Sequence, residues 1–98
     1  MSLLDGARVL VTGGTGSLGG ALVRRLLGGD LGRPEAIVIF SRDEAKQHEM
    51  RLAMARRATT TDEVIYGSWD RVVRFHIGDV ADRASIRWAL RGADVVFN

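Results

Sequence analysis

Short apolar runs alternate with stretches of helical periodicity along the chain. A strand buried on both faces of a sheet appears as a continuous apolar run, whereas apolar residues three and four positions apart indicate a helix with one buried face. Residues 59–70 are predicted to form a loop with room for one helical turn. The apolar runs predict four strands, at Arg8–Thr12, residues 36–40, residues 72–77 and Val95–Phe97. The periodic stretches predict three helices, at Ser17–Leu27, residues 42 to about 58 and residues 83–91.

The alternation of strand and helix determines the predicted fold class. Parallel strands need long crossover connections, and a helix between successive strands supplies one. A helix of about 11 residues spans ~17 Å, close to the length of a strand of five or six residues, so the elements match. We therefore predict an α/β fold: the N-terminal part of a Rossmann-type doubly wound parallel sheet, with about four strands and three helices covering both faces.

The predicted helices have recognisable ends. Ser41 and Glu44 fit a capping box, with Ser41 as the N-cap of the second helix. Asp82 is a suitable N-cap for the third helix, and Gly92 is a suitable residue just past its end. The residues predicted to face inward are Met50, Ala53 and Met54 in the second helix and Ile86, Ala89 and Leu90 in the third. Val73, Phe75 and Ile77 are predicted to share one face of the third strand.

Length and composition narrow the function classes. The chain has 98 residues, 46% of them hydrophobic and 27% charged, which is typical of one small globular domain. A net charge of +2 is too small to indicate binding to nucleic acid. No apolar run approaches the ~18 residues that a membrane span needs, and residues 1–6 do not resemble a signal peptide. The absence of an export signal favours a cytoplasmic protein without a membrane partner. With no cysteine and two isolated histidines, we expect no metal site.

A glycine-rich segment, residues 12–19 (T-G-G-T-G-S-L-G), joins the first strand to the first helix. A pyrophosphate can approach the backbone where Gly16 lacks a Cβ, and Gly19 allows the helix to pack close to the strand. The first N–H groups of the helix then point toward the phosphates, and the hydroxyls of Thr15 and Ser17 can donate as well. The segment therefore predicts dinucleotide binding; a glycine-rich turn without a ligand is the alternative.

The end of the second strand is where a dinucleotide fold selects its cofactor. An acidic residue there favours NAD, and an arginine accommodates the 2′-phosphate of NADP. Arg42 and Lys46 lie four positions apart, so they can bracket one phosphate while Ser41 donates a hydrogen bond. Asp43 is the competing signal for NAD, although stabilising the first turn of the helix also explains it. We predict NADP in preference to NAD; a solvated, charged helix start remains the alternative.

Asp79 and Val80 follow the third strand, which in a doubly wound sheet borders the adenine end of the cleft. The Asp79 carboxylate can accept from the adenine amino group, and the Val80 N–H can donate to the ring. An Asx turn leading into the third helix explains Asp79 equally well.

These segments resemble the N-terminal part of the extended short-chain dehydrogenases/reductases. The T-G-x-x-G-x-x-G spacing is that of the extended branch, because Ser17 stands where the other branch has glycine. Residues 40–47 (F-S-R-D-E-A-K-Q) resemble the signature of the inverting UDP-N-acetylglucosamine 4,6-dehydratases, among the CapD-like polysaccharide biosynthesis proteins. Residues 75–80 (F-H-I-G-D-V) are similar to the corresponding segment of that family.

The resemblance implies an NADP-dependent dehydration of UDP-N-acetylglucosamine in polysaccharide or glycan biosynthesis, catalysed by a homo-oligomer. The same resemblance implies a catalytic Tyr-x-x-x-Lys pair, but Tyr66 is the only tyrosine and Asp70 follows four residues later, so this chain contains no predicted catalytic residue. The predicted cofactor-binding residues are Gly13, Thr15, Gly16, Ser17, Leu18, Gly19, Ser41, Arg42, Lys46, Asp79 and Val80.

The chain ends inside a predicted strand, so we expect residues 1–98 to be a truncated NAD(P)-binding Rossmann domain without its substrate domain. Two alternatives stay open at this point. One is a non-catalytic dinucleotide-binding module, such as a redox sensor. The other is a different extended short-chain enzyme, such as a nucleotide-sugar epimerase or a reductase.

Overall fold

A computed structural model describes residues 3–13, 17–29, 31–60 and 69–97. Within these ranges, parallel strands form one four-stranded sheet in the order β3-β2-β1-β4. The strands are β1 (Arg8–Thr12), β2 (Ala36–Ser41), β3 (Val73–Ile77) and β4 (Val95–Phe97). The helices are α1 (Ser17–Leu27), α2 (Glu44–Thr60), α3 (Trp69–Val72) and α4 (Arg83–Leu90). The predicted α/β fold with a Rossmann-type sheet is confirmed, because β1 is central and β4 lies on its other side from β2.

Helices cover both faces of this sheet, because side chains of the central strands alternate between two core clusters. On one face, α1 and α2 pack against the first three strands. This cluster consists of Leu4, Val9, Val11, Val23, Leu26, Ile37, Ile39, Met54 and Val73. On the other face, α4 packs against β1 and β2 through Leu10, Phe40 and Ala89, with Val38, Ile86 and Ala93 around them.

The element bounds differ from the prediction around the second crossover. Helix α2 extends to Thr60, and β3 begins at Val73 because Val72 closes the short helix α3. Residues 61–68, which make up most of the predicted loop, lie outside the described residues. None of the helices within the described ranges is long and apolar enough to cross a membrane.

Two residues predicted to face inward are exposed. Ala53 is exposed on α2, where the buried side is formed by Gln47, Met50 and Met54, spaced by three and four residues. Leu90 is 44% exposed on α4. Consecutive helical residues differ by about 100°, so Ala53 and Leu90 point away from the sheet when their neighbours Met54 and Ala89 face it.

The caps of α4 are confirmed. The Asp82 carboxylate accepts from the Ala84 N–H at 3.1 Å, and Gly92 adopts the left-handed conformation with φ of 78°. The predicted capping box of α2 is wrong, because Ser41 is the last residue of β2. Asp43 takes the N-cap role instead, since its carboxylate accepts from the Lys46 N–H at 3.0 Å.

Candidate functional site at the carboxyl edge of the sheet

Gly13, which follows β1, lies with the loops that follow β2 and β3 at the carboxyl edge of the sheet. Two backbone hydrogen bonds continue the ladder past the strand ends. The Gly13 N–H donates to the Phe40 carbonyl at 3.1 Å, and the Gly78 N–H donates to the Ser41 carbonyl at 3.0 Å. The strand order reverses between β1 and β4, and ligands of open parallel sheets bind outside the carboxyl ends at such a point. A ligand site is therefore expected at this edge.

A cavity of about 330 Å³ opens between the ends of β2 and β3. This volume lies at the small end of the range of about 300–1,000 Å³ that is usual for ligand pockets. Its lining consists of Gly13, Phe40, Ser41, Arg42, Gly78, Asp79 and Val80. Five of these were predicted from the sequence to bind a cofactor, namely Gly13, Ser41, Arg42, Asp79 and Val80.

A second cavity, of about 440 Å³, lies between the end of β1, the start of α1 and the end of β4. Gly13 and Val80 line both cavities, so the two cavities adjoin. Gly13 has a φ of 67°, which an L-residue with a side chain adopts only with strain, so this turn requires glycine. The remaining lining residues are Val11, Thr12, Gly19, Leu22 and Phe97.

An exposed ion pair bridges the mouth of the first cavity. Arg42 Nη1 lies 3.7 Å from Asp79 Oδ2, and the two side chains are 81% and 44% exposed. An exposed pair of this kind contributes about 0–1 kcal/mol, so the guanidinium can turn toward a stronger anion at little cost. The other oxygen, Asp79 Oδ1, accepts from the Ala81 N–H at 2.9 Å. The Asx turn that was the alternative explanation for Asp79 is therefore present.

The other predicted residues fall into two groups. Lys46 is exposed in the first turn of α2, one turn from Arg42, and lines neither of the two cavities. Ser17 and Leu18 belong to α1. Thr15 and Gly16 lie outside the described residues, as do the side chains of Ser17 and Leu18.

Three residues that shape this edge were not predicted from the sequence to belong to it. Phe40 lies in an apolar run that indicated only a strand, yet its buried ring lines the cavity. A Cβ on Gly78 would lie 2.6 Å from that ring, so the loop after β3 passes directly over it. Gln47 is 4% exposed, and its spacing from Met50 and Met54 was the available signal for its burial.

Comparisons with known proteins agree with this architecture. A family model described as "Polysaccharide biosynthesis protein" matches residues 9–98. Two proteins named UDP-glucose 4-epimerase, from Rickettsia akari (strain Hartford) and Rickettsia bellii (strain RML369-C), are each 40% identical over 91 residues. These matches cover 92% of this chain and 23% of each relative, so the chain spans about a quarter of the length of these curated relatives.

A solved structure has a similar fold. It is described as "X-ray structure of Pen from Bacillus thuringiensis" and superimposes with a TM-score of 0.77 at 24% sequence identity. The match covers 98% of this chain and 26% of that chain.

Proposed function

This chain belongs to the polysaccharide biosynthesis protein family, among the extended short-chain dehydrogenases/reductases, and we propose that it is the NADP-binding portion of a nucleotide-sugar 4,6-dehydratase acting on UDP-N-acetylglucosamine. The observation that carries the proposal is the pair of adjoining cavities at the carboxyl edge, the first of them lined by Arg42. We propose that the whole protein is a homo-oligomer. We also propose that sequence outside residues 1–98 supplies its sugar-binding and catalytic groups.

The residues of the first cavity fit the adenosine end of NADP. Val80 would offer an apolar surface to the adenine ring, and Asp79 Oδ2 would accept from its amino group once Arg42 turns away. Arg42 offers the planar fork of donors that matches a phosphate, and Lys46 adds a second positive charge one helical turn away. These side chains would hold the 2′-phosphate of the cofactor.

The charges around Arg42 favour this assignment. The carboxylate of the next residue, Asp43, accepts from the Lys46 N–H. Asp79 Oδ1 accepts from the Ala81 N–H, and only Asp79 Oδ2 faces Arg42, at 3.7 Å. Hydrogen bonds to charged groups contribute about 1.5–3 kcal/mol, against about 0–1 kcal/mol for the exposed pair between Arg42 and Asp79. The guanidinium would therefore leave Asp79 for a phosphate.

The second cavity fits the pyrophosphate. It lies at the N-terminus of α1, where backbone N–H groups and the helix dipole favour an anion. Gly13 and Gly19 line it, so no Cβ narrows the approach at these positions. When bound, NADP⁺ supplies the hydride acceptor of the reaction, and this chain supplies its binding and orientation.

Calorimetric titration with NADP⁺ and NAD⁺ tests the cofactor assignment. We expect Arg42→Ala to weaken NADP⁺ binding about tenfold or more, because it removes charge-assisted hydrogen bonds worth at least ~1.5 kcal/mol. Binding of NAD⁺, which lacks the 2′-phosphate, should change little. Arg33→Ala is the matched control, since Arg33 is exposed in the loop before β2 at the opposite edge. Equal losses for both cofactors in Arg42→Ala would contradict the assignment.

The reaction has a second candidate, 4-epimerisation, because the curated relatives carry the name UDP-glucose 4-epimerase. Incubating the full-length protein with UDP-N-acetylglucosamine and NADP⁺ distinguishes the two by product mass. Dehydration removes one water and leaves a keto-deoxy sugar, whereas epimerisation leaves the mass unchanged and alters the C4 proton couplings in the NMR spectrum. Cofactor binding without any sugar product would favour a non-catalytic dinucleotide-binding module.

A further inference from the structure

Gln47 is the one buried polar side chain among the described residues. It lies in the first turns of α2, on the side that also carries Met50 and Met54 against the core. Burying an amide without hydrogen bonds costs about 1–3 kcal/mol, so such a group is retained only where it has partners. Its partners therefore indicate what it does.

The Gln47 amide joins the ends of two strands. Its Nε2 donates to the Ser41 carbonyl at 3.1 Å and to the His76 carbonyl at 2.9 Å. Ser41 is the last residue of β2, and His76 is the penultimate residue of the neighbouring strand β3. One side chain of α2 thus links both strands at the edge where the first cavity opens.

These two carbonyls are close in sequence to the residues that face each other across the cavity mouth. Arg42 directly follows Ser41, and Asp79 comes three residues after His76. Arg42 and Asp79 both lie in loops. The loop of Arg42 is also tied to α2 by the Asp43 carboxylate, which accepts from the Lys46 N–H, whereas the Gln47 amide ties α2 to β3 as well. The spacing between the two loops, and with it the position of the guanidinium, therefore depends in part on this amide.

We propose that Gln47 is a positioning residue that holds the ends of β2 and β3 at the spacing required for Arg42 to select a 2′-phosphorylated cofactor. The inference rests on the proposed function, since it concerns the same cavity. It assigns to Gln47 a role in cofactor selectivity, without contact to the cofactor.

Gln47→Met tests this inference, because methionine fills a similar volume and has no donor. The ratio of NADP⁺ to NAD⁺ affinity should fall about five- to tenfold, a part of the tenfold or larger effect expected when the Arg42 hydrogen bonds are lost altogether. Gln47→Asn keeps an amide on a side chain shorter by one methylene, and its ratio should lie between those of the wild type and Gln47→Met. Should Gln47→Met not fold, a ratio for Gln47→Asn equal to that of the wild type would overturn the inference.

Met54→Ala is the matched control. Met54 is 5% exposed on the same side of α2, so its truncation weakens packing without removing the amide. It should lower the melting temperature and leave the affinity ratio unchanged. Equal losses of both affinities in Gln47→Met would show a general structural role and overturn the inference.

Failure of the inference and failure of the proposed function are distinguishable. If the wild type shows no preference for NADP⁺ that depends on Arg42, the proposed function fails. If the wild type and Arg42→Ala behave as proposed while Gln47→Met retains the full preference for NADP⁺, the positioning role alone is wrong.

Discussion

Replacing Gly78 by alanine should destabilise the fold, because the added methyl group meets a ring that has no room to move. A Cβ at this position would lie 2.6 Å from Phe40 Cε2, 2.7 Å from Phe40 Cζ and 3.3 Å from Ser85 Cβ. Favourable contacts between carbon atoms occur at about 3.5–4.0 Å, so the ring or the loop must shift by about 1 Å. The backbone of Gly78 is not in the left-handed region, so the cost is steric.

The ring of Phe40 also takes part in a chain of aromatic contacts. Phe40 is 0% exposed and stacks on His76, with the ring centroids 5.4 Å apart. His76 stacks in turn on Trp88 at 4.2 Å. Overpacking a filled core costs about 1–3 kcal/mol, which exceeds the gain of about 0.4–1 kcal/mol from reduced freedom of the unfolded chain. For a domain of this size the loss corresponds to a fall in melting temperature of roughly 5–20 °C.

Thermal unfolding followed by circular dichroism measures this effect, and Gly20→Ala is the matched control. Gly20 lies inside α1, and a Cβ there would meet nothing within 4 Å, so the same substitution should stabilise by about 0.5–1 kcal/mol. Phe40→Leu should make Gly78→Ala less costly, because the smaller side chain leaves room for the methyl group. A melting temperature for Gly78→Ala at or above that of the wild type would refute the steric argument.

Two further predictions concern packing and capping. Leu26→Ala should cost about 2–5 kcal/mol in urea denaturation, since Leu26 is 1% exposed in the larger cluster, whereas Leu3→Ala should change stability by less than about 0.5 kcal/mol, because Leu3 is 87% exposed. Equal losses of stability in Leu26→Ala and Leu3→Ala would contradict the described core. Asp82→Ala should lower stability by about 0.5–2 kcal/mol, and Asp82→Asn should retain most of it, because asparagine also caps helices well. A loss of stability in Asp82→Asn as large as that in Asp82→Ala would indicate that the charge, and not the cap, stabilises α4.

The strands were predictable because a short apolar run is best accommodated as a buried strand. Residues such as those of β1 are apolar at consecutive positions, and a parallel sheet covered on both faces buries them all. The buried faces of the helices were harder to predict, because the short helical segments mix apolar and polar residues. Alanine at position 53 and leucine at position 90 fit an apolar stripe by type, but the packing of α2 and α4 turns both outward.

The positions of the carboxyl ends of the strands also explain which residues of the site could be predicted from the sequence. Arg42 and Asp79 were recognisable because each follows a buried strand, and parallel strands place their carboxyl ends at one edge. The roles of Gln47 and Gly78 depend on which strands are neighbours and on their register. The pairing of Ser41 with Ile77 brings the two carbonyls within reach of one amide, and no local pattern encodes that distance.

The N-cap of α2 shows a similar limit. Ser41, Asp43 and Glu44 all favour a helix start, and the capping-box spacing favoured Ser41 as the N-cap. Pairing with β3 keeps Ser41 in the strand, and the helix then begins after Asp43. The Ser41 hydroxyl accepts from the Asp43 N–H at 3.0 Å, so it stabilises the turn that precedes the helix.

The proposed binding of a 2′-phosphorylated cofactor is tested most directly by titrating the protein with adenosine 2′,5′-bisphosphate and following its backbone amide resonances by NMR. We expect saturable shifts at Ser41, Arg42, Gly78 and Val80, which line the first cavity, and much weaker binding of adenosine 5′-monophosphate. Shifts confined to the opposite edge of the sheet, or equal affinity for the two nucleotides, would contradict the proposed binding.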